Sequence, residues 1–176
     1  TVGIEALVLA IAWQPNGKIL VSGKGLTYLK NNVRTLLPRV FRLNADGSLD
    51  SSFKIRSGDD FVYAISLLPD GKILIGGDFK KINNNNYYGI ARLNPTGSVD
   101  TSFTPPTNLG RIRSIVQQPD GKILLGGLWP DGVVRLNAYG TRDSSFTPPA
   151  DSNGGVYAIA LQADGKVLLG GTFTSF

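Results

Sequence analysis

The sequence predicts an all-β protein built from short antiparallel hairpins, and three observations lead to this prediction. The segment VYAISLLPDGKILIGGDF at residues 62–79 joins two apolar runs through a Pro-Asp-Gly turn, and near copies recur at residues 8–23, 112–127 and 156–171. Glycine and proline are frequent, with 22 and 10 among 176 residues, and many fall at the repeated turns. A second segment, with the pattern Arg-Leu-Asn, Asp and Phe, follows each of the first three copies.

The turn in each copy predicts the first hairpin of a repeat. Pro69 fixes φ, Asp70 accepts hydrogen bonds from the turn backbone, and Gly71 takes the left-handed conformation that closes a three-residue loop. The flanking strands are apolar on both predicted faces, so each face needs a covering layer. In the predicted strand at residues 62–68, we expect Val62, Ala64 and Leu68 on one face and Tyr63, Ile65 and Leu67 on the other.

The second segment predicts another hairpin. It has the sequence VFRLNADGSLDSSF at 40–53, IARLNPTGSVDTSF at 90–103 and VVRLNAYGTRDSSF at 133–146. A three-residue loop places Asn94 opposite Ser98 and Arg92 opposite Asp100, so that an arginine faces an aspartate across two strands. The equivalent pairs are Arg42 with Asp50 and Arg135 with Asp143, and the segments end in Phe53, Phe103 and Phe146.

Four short strands per repeat, with turn glycines spaced by 54, 50 and 44 residues, predict a β-propeller rather than a helical solenoid. We predict one propeller segment over residues 1–176, with about 3.5 four-stranded antiparallel blades at about 6–58, 59–108 and 109–151 and a half blade at 152–176. Further chain, which we favour, or a second copy would complete the ring; a small ring completed by residues 1–5 has too few strands.

The residues also carry a resemblance. PDGKILIGG followed by ARLNPTGSVDTSF resembles the bacterial delta-60 repeat, a propeller-type repeat of secreted and surface proteins and of phage structural proteins, and the diglycine is similar to that of kelch blades. The resemblance covers nearly the whole chain and implies a propeller with no shared catalytic site. Two departures are Ser22 in place of the first glycine of repeat one and Ala163 in place of the turn proline of repeat four.

The absence of cysteine and histidine limits the kinds of catalytic and metal site that the chain can form. The chain has no Cys and no His, which excludes thiol nucleophiles, disulfides, imidazole bases and the usual zinc sites. No apolar run approaches the roughly 20 residues of a membrane-spanning helix. We therefore predict no cofactor and no membrane insertion.

Two groups of carboxylates are candidates for catalysis or metal binding, but a structural role explains each of them more simply. Asp59 and Asp60 are neighbours on a predicted loop, where turn polarity explains them better than a catalytic pair does. The segment 44–50 resembles a calcium loop, but the equivalents of Asp46 are Thr96 and Tyr139, so the ligand set does not recur. We predict no metal site and no enzyme activity.

The net charge of +5 is concentrated in the first insertion and just after it, at Lys24, Lys30, Arg34, Arg39, Lys54 and Arg56. Such a basic lobe suits an anionic polysaccharide, a phosphate-bearing surface or nucleic acid, although a solvated loop is the simpler explanation. Nucleic acid is not predicted, because no known motif is present and the basic residues are not interleaved with aromatics.

The second insertion, residues 80–88, is the other candidate binding loop. Its amides and adjacent tyrosines suit sugar hydroxyls and pyranose faces, although an Asn run is also a plain turn. Trp129 occupies the same position of the repeat as Phe79 and Phe173, and we expect it to be a packing anchor. Trp13 lies in a predicted strand, and we expect it in the core. The candidate ligand-binding residues are Lys24, Lys30, Arg34, Asn84, Asn86, Tyr87, Tyr88 and Trp129.

Together these features predict a non-catalytic structural or binding module of an extracellular, cell-surface or virion tail or fibre protein. Its loops would recognise a surface glycan or a partner subunit, in a role such as adhesion. The expected partners are other subunits of the same assembly, the chain's own continuation, or surface polysaccharide. The alternative is an accessory substrate-binding part of a larger secreted hydrolase.

Overall fold

The computed structural model describes residues 2–56, 60–129, 132–148 and 154–173. Within these residues the chain is all β, which confirms the predicted fold class, and no helix there is long and apolar enough to cross a membrane. The described strands are β1 (Val2–Trp13), β2 (Ile19–Lys30), β3 (Val33–Leu36), β4 (Val40–Leu43), β5 (Val62–Leu67), β6 (Ile73–Gly77), β7 (Lys81–Ile82), β8 (Asn85–Asn86), β9 (Ile90–Leu93), β10 (Arg111–Gln117), β11 (Ile123–Leu128), β12 (Val133–Leu136), β13 (Val156–Leu161) and β14 (Val167–Gly171).

Antiparallel sheets form a row of blades. Blade 1 contains β1 to β4, blade 2 contains β5, β6 and β9, and blade 3 contains β10, β11 and β12. Blade 4 contains β13 and β14 in the described residues, and β7 and β8 form a small hairpin in the loop of blade 2. The first strands of successive blades contact each other, β1 with β5, β5 with β10 and β10 with β13. They therefore form the inner side of the row, as in a propeller.

The predicted hairpin turns are present. Gly71 has φ of 82° and donates its N–H to the carbonyl of Leu68 at 2.9 Å, and Asp70 Oδ1 accepts the N–H of Lys72 at 3.0 Å. In the second hairpin, the N–H of Asn94 donates to the carbonyl of Ser98 at 2.8 Å, which confirms the predicted register. The fourth strand of each complete blade is short: it pairs through one bridge, such as Leu93 with Val99. The predicted repeat boundaries at 58/59 and 151/152 lie outside the described residues.

A buried aspartate fastens the second hairpin to the first. The predicted Arg92–Asp100 pair forms with Nε 2.8 Å from Oδ2, and its equivalents form in blades 1 and 3. The sequence did not predict a second cation: the turn lysine Lys72 also reaches Asp100 Oδ2, at 2.8 Å. Burial alone would raise the pKa of Asp100, but hydrogen bonds from Lys72, Ser102 and Arg92 outweigh it and hold the pKa well below its ordinary value.

The same arginines link neighbouring blades. Arg42 Nη1 donates to the carbonyl of Pro95 in blade 2 at 2.6 Å, and Arg92 Nη1 donates to that of Ala138 in blade 3 at 2.7 Å. Each guanidinium also lies over the phenylalanine that ends its own segment, with 4.8 Å from Arg92 to the Phe103 centroid. The phenylalanines thus act as the predicted anchors.

The hydrophobic core lies between the blades. One cluster joins Leu20 and Val40 of blade 1 to Val62 and Ile75 of blade 2, and similar clusters join blade 2 to blade 3 and blade 3 to blade 4. Both faces of the middle sheets are covered, as predicted. The predicted division of β5 into faces is wrong, however, because Val62 shares its side with Ile65 and Leu67, and Ala64 lies on the other.

Trp13 was expected in the core and is instead 66% exposed. It lies on the side of β1 that faces away from blade 2, where the described residues contain no preceding blade. Its equivalent in blade 2, Leu67, packs against the cluster between blades 1 and 2. The prediction failed because burial at this strand position depends on a neighbouring blade and not on the strand itself.

The first insertion forms an arm, defined as residues 24–37, instead of a loose loop. Strand β2 continues through it and pairs with β3. Leu26, Tyr28 and Leu37 of the arm pack against Val21 and Phe41 of blade 1 in a separate cluster. The arm therefore covers the outer part of the free face of blade 1.

Replacing Asp100 by Asn is expected to lower the free energy of unfolding by about 3 kcal/mol at pH 7, because Arg92 and Lys72 lose their counter-charge. The depressed pKa means that the carboxylate stabilises the fold above its ordinary pKa of about 4, and that this stabilisation is lost as the pH falls toward the lower folded-state pKa. The difference between the two proteins should therefore shrink below about pH 4. Urea unfolding of both proteins at several pH values measures this difference in the free energy of unfolding.

Asp120→Asn is the matched control. Asp120 is exposed, and its Oδ1 accepts the N–H of Lys122 at 3.0 Å, a bond that an amide oxygen can keep. This substitution is expected to change the free energy of unfolding by no more than about 0.5 kcal/mol. Similar losses in the two variants would contradict the role given to Asp100.

Candidate functional site

A β-bulge near the start of the first strand turns one side chain of each blade out of the ladder. In blade 2, Val62 pairs with Gly77 and Ala64 pairs with Gly76, so Tyr63 is the extra residue. A Cβ on Gly77 would collide with the carbonyl oxygen of Phe61, so this close approach requires glycine. The extra residues in blades 1, 3 and 4 are Leu9, Arg113 and Tyr157.

The bulged side chains of blades 2, 3 and 4 meet. The guanidinium carbon of Arg113 lies 3.8 Å from the ring centroid of Tyr63 and 6.0 Å from that of Tyr157. Phe61 stacks on Tyr63 with centroids 5.7 Å apart, and Lys24 Nζ lies 5.3 Å from the Phe61 centroid. We name this group the inner rim, and its members are Lys24, Phe61, Tyr63, Asp78, Arg111, Arg113 and Tyr157.

Asp78 holds the inner rim in place. It accepts hydrogen bonds from the Phe61 N–H at 2.9 Å and the Tyr63 hydroxyl at 2.9 Å, and Arg111 Nε lies 3.2 Å from its Oδ2. Burial, followed by the hydrogen bond to Asp78 and its charge, raises the pKa of Tyr63 above the ordinary value. Tyr63 is therefore a neutral hydroxyl donor near pH 7.

Arg113 is the cation of the inner rim that is best placed to bind an anionic group. Within the described residues no carboxylate forms an ion pair with it, and its Nε is buried without a hydrogen-bond partner. Tyr63 and Tyr157 flank its guanidinium, which favours the charged group by cation–π attraction. A planar guanidinium held this way suits a carboxylate, sulfate or phosphate group.

Three of the predicted binding residues line one cleft of about 350 Å³: Asn86, Tyr87 and Tyr88, opposite Thr104 and Pro105. Tyr88 is 37% exposed, and Tyr87 is half-buried against the cluster between blades 1 and 2. The cleft offers amide and hydroxyl groups beside an aromatic ring, which is the combination that the sequence suggested for a sugar.

Asn84 does not join that cleft. Asn83 and Asn84 have φ of 49° and 67°, which is the left-handed backbone of a two-residue hairpin turn between β7 and β8. Asn84 lies in a separate hollow with Lys54 and Arg56. The plain turn thus explains the first half of the Asn run.

The basic residues do not form one lobe. Lys24 belongs to the inner rim, whereas Lys30 lies at the far end of β2, roughly 20 Å away at the rise of an extended strand. Arg34, on β3, pairs with Glu5 at 3.2 Å on an exposed part of the arm. Trp129 is half-buried against the cluster between blades 2 and 3, and its ring lies over Gly127.

The other carboxylate candidates do not form a site in the described part of the chain. Asp59 lies outside the described residues, and Asp60 is half-buried. Asp46 Oδ1 accepts both the N–H and the hydroxyl of Ser48, at 2.9 and 2.6 Å, as expected of a turn. No group of three or more acidic residues that could hold a metal ion occurs among the described residues.

A family model for a domain of unknown function (DUF5122) β-propeller matches residues 14–53, 68–103, 118–146 and 162–176, which is more than half of the chain. The chain belongs to the DUF5122 β-propeller family. The match confirms the β-propeller that the sequence resemblance implied. Each matched segment begins at or next to the turn of a first hairpin, so the DUF5122 unit corresponds to the repeat described above.

Solved structures similar to this DUF5122 chain include virginiamycin B lyase from Staphylococcus aureus, with a TM-score of 0.57 and 13% identity over 96% of this chain and 67% of that one. A streptogramin B lyase follows at 16% identity over 96% of this chain and 58% of that one, with a TM-score of 0.46. At such identities the likeness shows the fold alone. No curated protein matches the sequence.

Sequence reasoning missed most of the inner rim. Lys24 was a candidate for its charge, but Tyr63 was assigned to a buried face and Arg113 to no site. A usable signal was present: Tyr63, Arg113 and Tyr157 occupy the same position of the DUF5122 repeat, fourteen residues before the second glycine of each diglycine. Recognising them required knowing that the first strand bulges opposite this glycine.

Replacing Asp78 by Asn is expected to lower the pKa of Tyr63 toward its ordinary value, because a negative charge that opposes phenol ionisation is removed. Ultraviolet titration of each protein against its own Tyr63→Phe derivative isolates this phenol from the other tyrosines. Asp70→Asn, in the exposed turn at the other end of blade 2, should leave the Tyr63 titration unchanged. An unchanged titration in the Asp78 variant would contradict the contact.

Proposed function

We propose that this β-propeller is a non-catalytic binding module that recognises an acidic surface polysaccharide at its inner rim. The observation that carries the proposal is Arg113, a guanidinium flanked by two tyrosine rings and without an ion-pair partner in the described residues. A uronate carboxylate or a sulfate ester supplies the missing partner for the guanidinium. Tyr157, 44% exposed, offers a ring face to a pyranose.

The charge of the rim supports an anionic rather than a neutral sugar. As defined, the rim carries the cations Lys24, Arg111 and Arg113 and the carboxylate of Asp78. Cations clustered on one surface raise the local concentration of an anionic polymer and speed its association. A polymer of acidic sugars gains from several such contacts at once.

The tyrosine cleft extends the proposed surface. The loop that leaves the rim at Asp78 leads through β7 and β8 to Tyr87 and Tyr88 of the cleft. A chain-like ligand has further sugar units to place there, where Asn86 and Tyr88 offer an amide and a ring. Asn84, Lys30 and Arg34 lie elsewhere and are not part of this binding surface.

A binding role is supported over a catalytic one by the chemistry of the rim. Asp78 already accepts hydrogen bonds from Phe61 and Tyr63 and pairs with Arg111, so it is not free to remove a proton. The resemblance to delta-60 and kelch-like repeats supports a setting outside the cell, on a cell surface or in a virion tail or fibre. Adhesion to a surface glycan fits such a setting.

Replacing Arg113 by Ala is expected to weaken binding to polygalacturonate about tenfold or more, since a charge-assisted contact is lost. Isothermal titration of the wild-type chain should show binding to polygalacturonate that weakens with added salt, and much weaker binding to neutral dextran. The pair Tyr87→Ala and Tyr88→Ala should cause a smaller loss, since the cleft extends the surface and does not neutralise the ligand.

Lys166→Ala is the control with the same change of charge. Lys166 lies in the turn at the opposite end of blade 4, paired with Asp164 at 2.7 Å. It should bind polygalacturonate as the wild type does. Equal binding by the Arg113 and Lys166 variants, no binding by the wild type, or release of new reducing ends from the polymer would overturn the proposal.

A further inference from the structure

Blade 2 packs against blade 3, and blade 3 against blade 4, by the same fit between a glycine and branched side chains. In blade 2, a Cβ on Gly76 would lie 2.7 Å from both Ile112 and Ile115 of blade 3. In blade 3, a Cβ on Gly126 would lie 2.9 Å from Val156 of blade 4. In blades 2 and 3 the first glycine of the diglycine therefore makes room for the first strand of the next blade.

Within the part of the chain that the structure describes, the two ends of the row carry the two halves of this fit without a partner. At one end, Gly170 occupies the position of Gly76, and the described atoms nearest to a Cβ there belong to Ala158 of its own blade, 3.7 Å away. Leu168 beside it is 55% exposed. At the other end, Ile11, the equivalent of Ile115, is 64% exposed, whereas Ile115 is 8% exposed.

The exposed apolar stripe continues along β1. Val8, the equivalent of Ile112 and Val156, is 39% exposed, whereas both equivalents are completely buried. Trp13 extends the stripe on the same side. These side chains match the ones that fill the space over Gly76 and Gly126 within the chain.

The extents of the two free faces also match. The arm covers the outer part of the free face of blade 1 through Leu26, Tyr28 and Leu37, and Ile4 of β1 packs against it. Residues 8–13 of β1 are left open. Blade 4 has, in the described residues, the two inner strands β13 and β14. Among the described residues, the open part of blade 1 and the strands of blade 4 are therefore both inner strands.

We infer that the free face of blade 4 binds the β1 face of blade 1 from a second copy of this chain. Val8 and Ile11 of one copy then lie over Gly170 of the other, which continues the packing of blade 3 on blade 2 and of blade 4 on blade 3. The contact joins two different surfaces, so it is heterologous, and two copies that exchange both contacts close a ring. This inference does not depend on ligand binding at the inner rim.

Light scattering tests the interface on the chain as it is. The wild type should have twice the mass of one chain, whereas Ile11→Asp and Leu168→Asp should each be monomeric at the same concentration. Both positions are exposed, so each variant should keep the wild-type far-ultraviolet circular dichroism. Tyr139→Ser, which changes a side chain 69% exposed in a turn of blade 3, should remain dimeric.

Mixing the two monomeric variants tests the head-to-tail arrangement. The mixture retains one intact contact, between the β1 face of the Leu168→Asp chain and the blade 4 face of the Ile11→Asp chain. It should form a one-to-one dimer and nothing larger. A monomeric wild type would show that another occupant covers these faces, and would overturn the inference. A mixture that stays monomeric, or a dimer that survives in either single variant, would also overturn it.

Discussion

Close packing of blade 3 on blade 2, and of blade 4 on blade 3, depends on the first glycine of the diglycine. Gly76 and Gly126 leave the space that isoleucine and valine of the next blade fill, and the main apolar clusters lie at these contacts. A blade is a thin sheet that is apolar on both faces, so it gains its stability from its neighbours and not from a core of its own. The aspartate pairs fix each second hairpin to the first hairpin of its own blade.

The second glycine of the same pair connects structure to the candidate site. Because Gly77 has no side chain, the first strand can bulge against it, and the extra residue is turned out of the ladder. Repetition of the bulge brings Tyr63, Arg113 and Tyr157 side by side. In blades 2, 3 and 4 the same constraint thus places one side chain of the first strand at the inner rim, which we propose as the ligand-binding surface.

Local features of the sequence predicted local structure well. The turn at Gly71 and the pair of Arg92 with Asp100 follow from a fixed loop length, which sets the register across two strands. Features that join different hairpins or blades were not predictable in this way. The second contact of Asp100, with Lys72, joins two hairpins, and the burial of Trp13 depends on a preceding blade, which the described residues do not contain. The inner rim was missed because its members come from three blades and a bulge changes the face of each.

The most direct measurement of the central claim compares one substitution at two equivalent glycines. Gly126→Val and Gly170→Val place the same side chain at the same strand position, with a packed blade over the first and none of the described blades over the second. Both are best measured in the Ile11→Asp background, so that no second copy interferes. Urea unfolding should show a loss of about 2 kcal/mol or more for Gly126→Val. The loss for Gly170→Val should be within about 0.5 kcal/mol. Equal losses would contradict the claim that this glycine exists to receive the next blade.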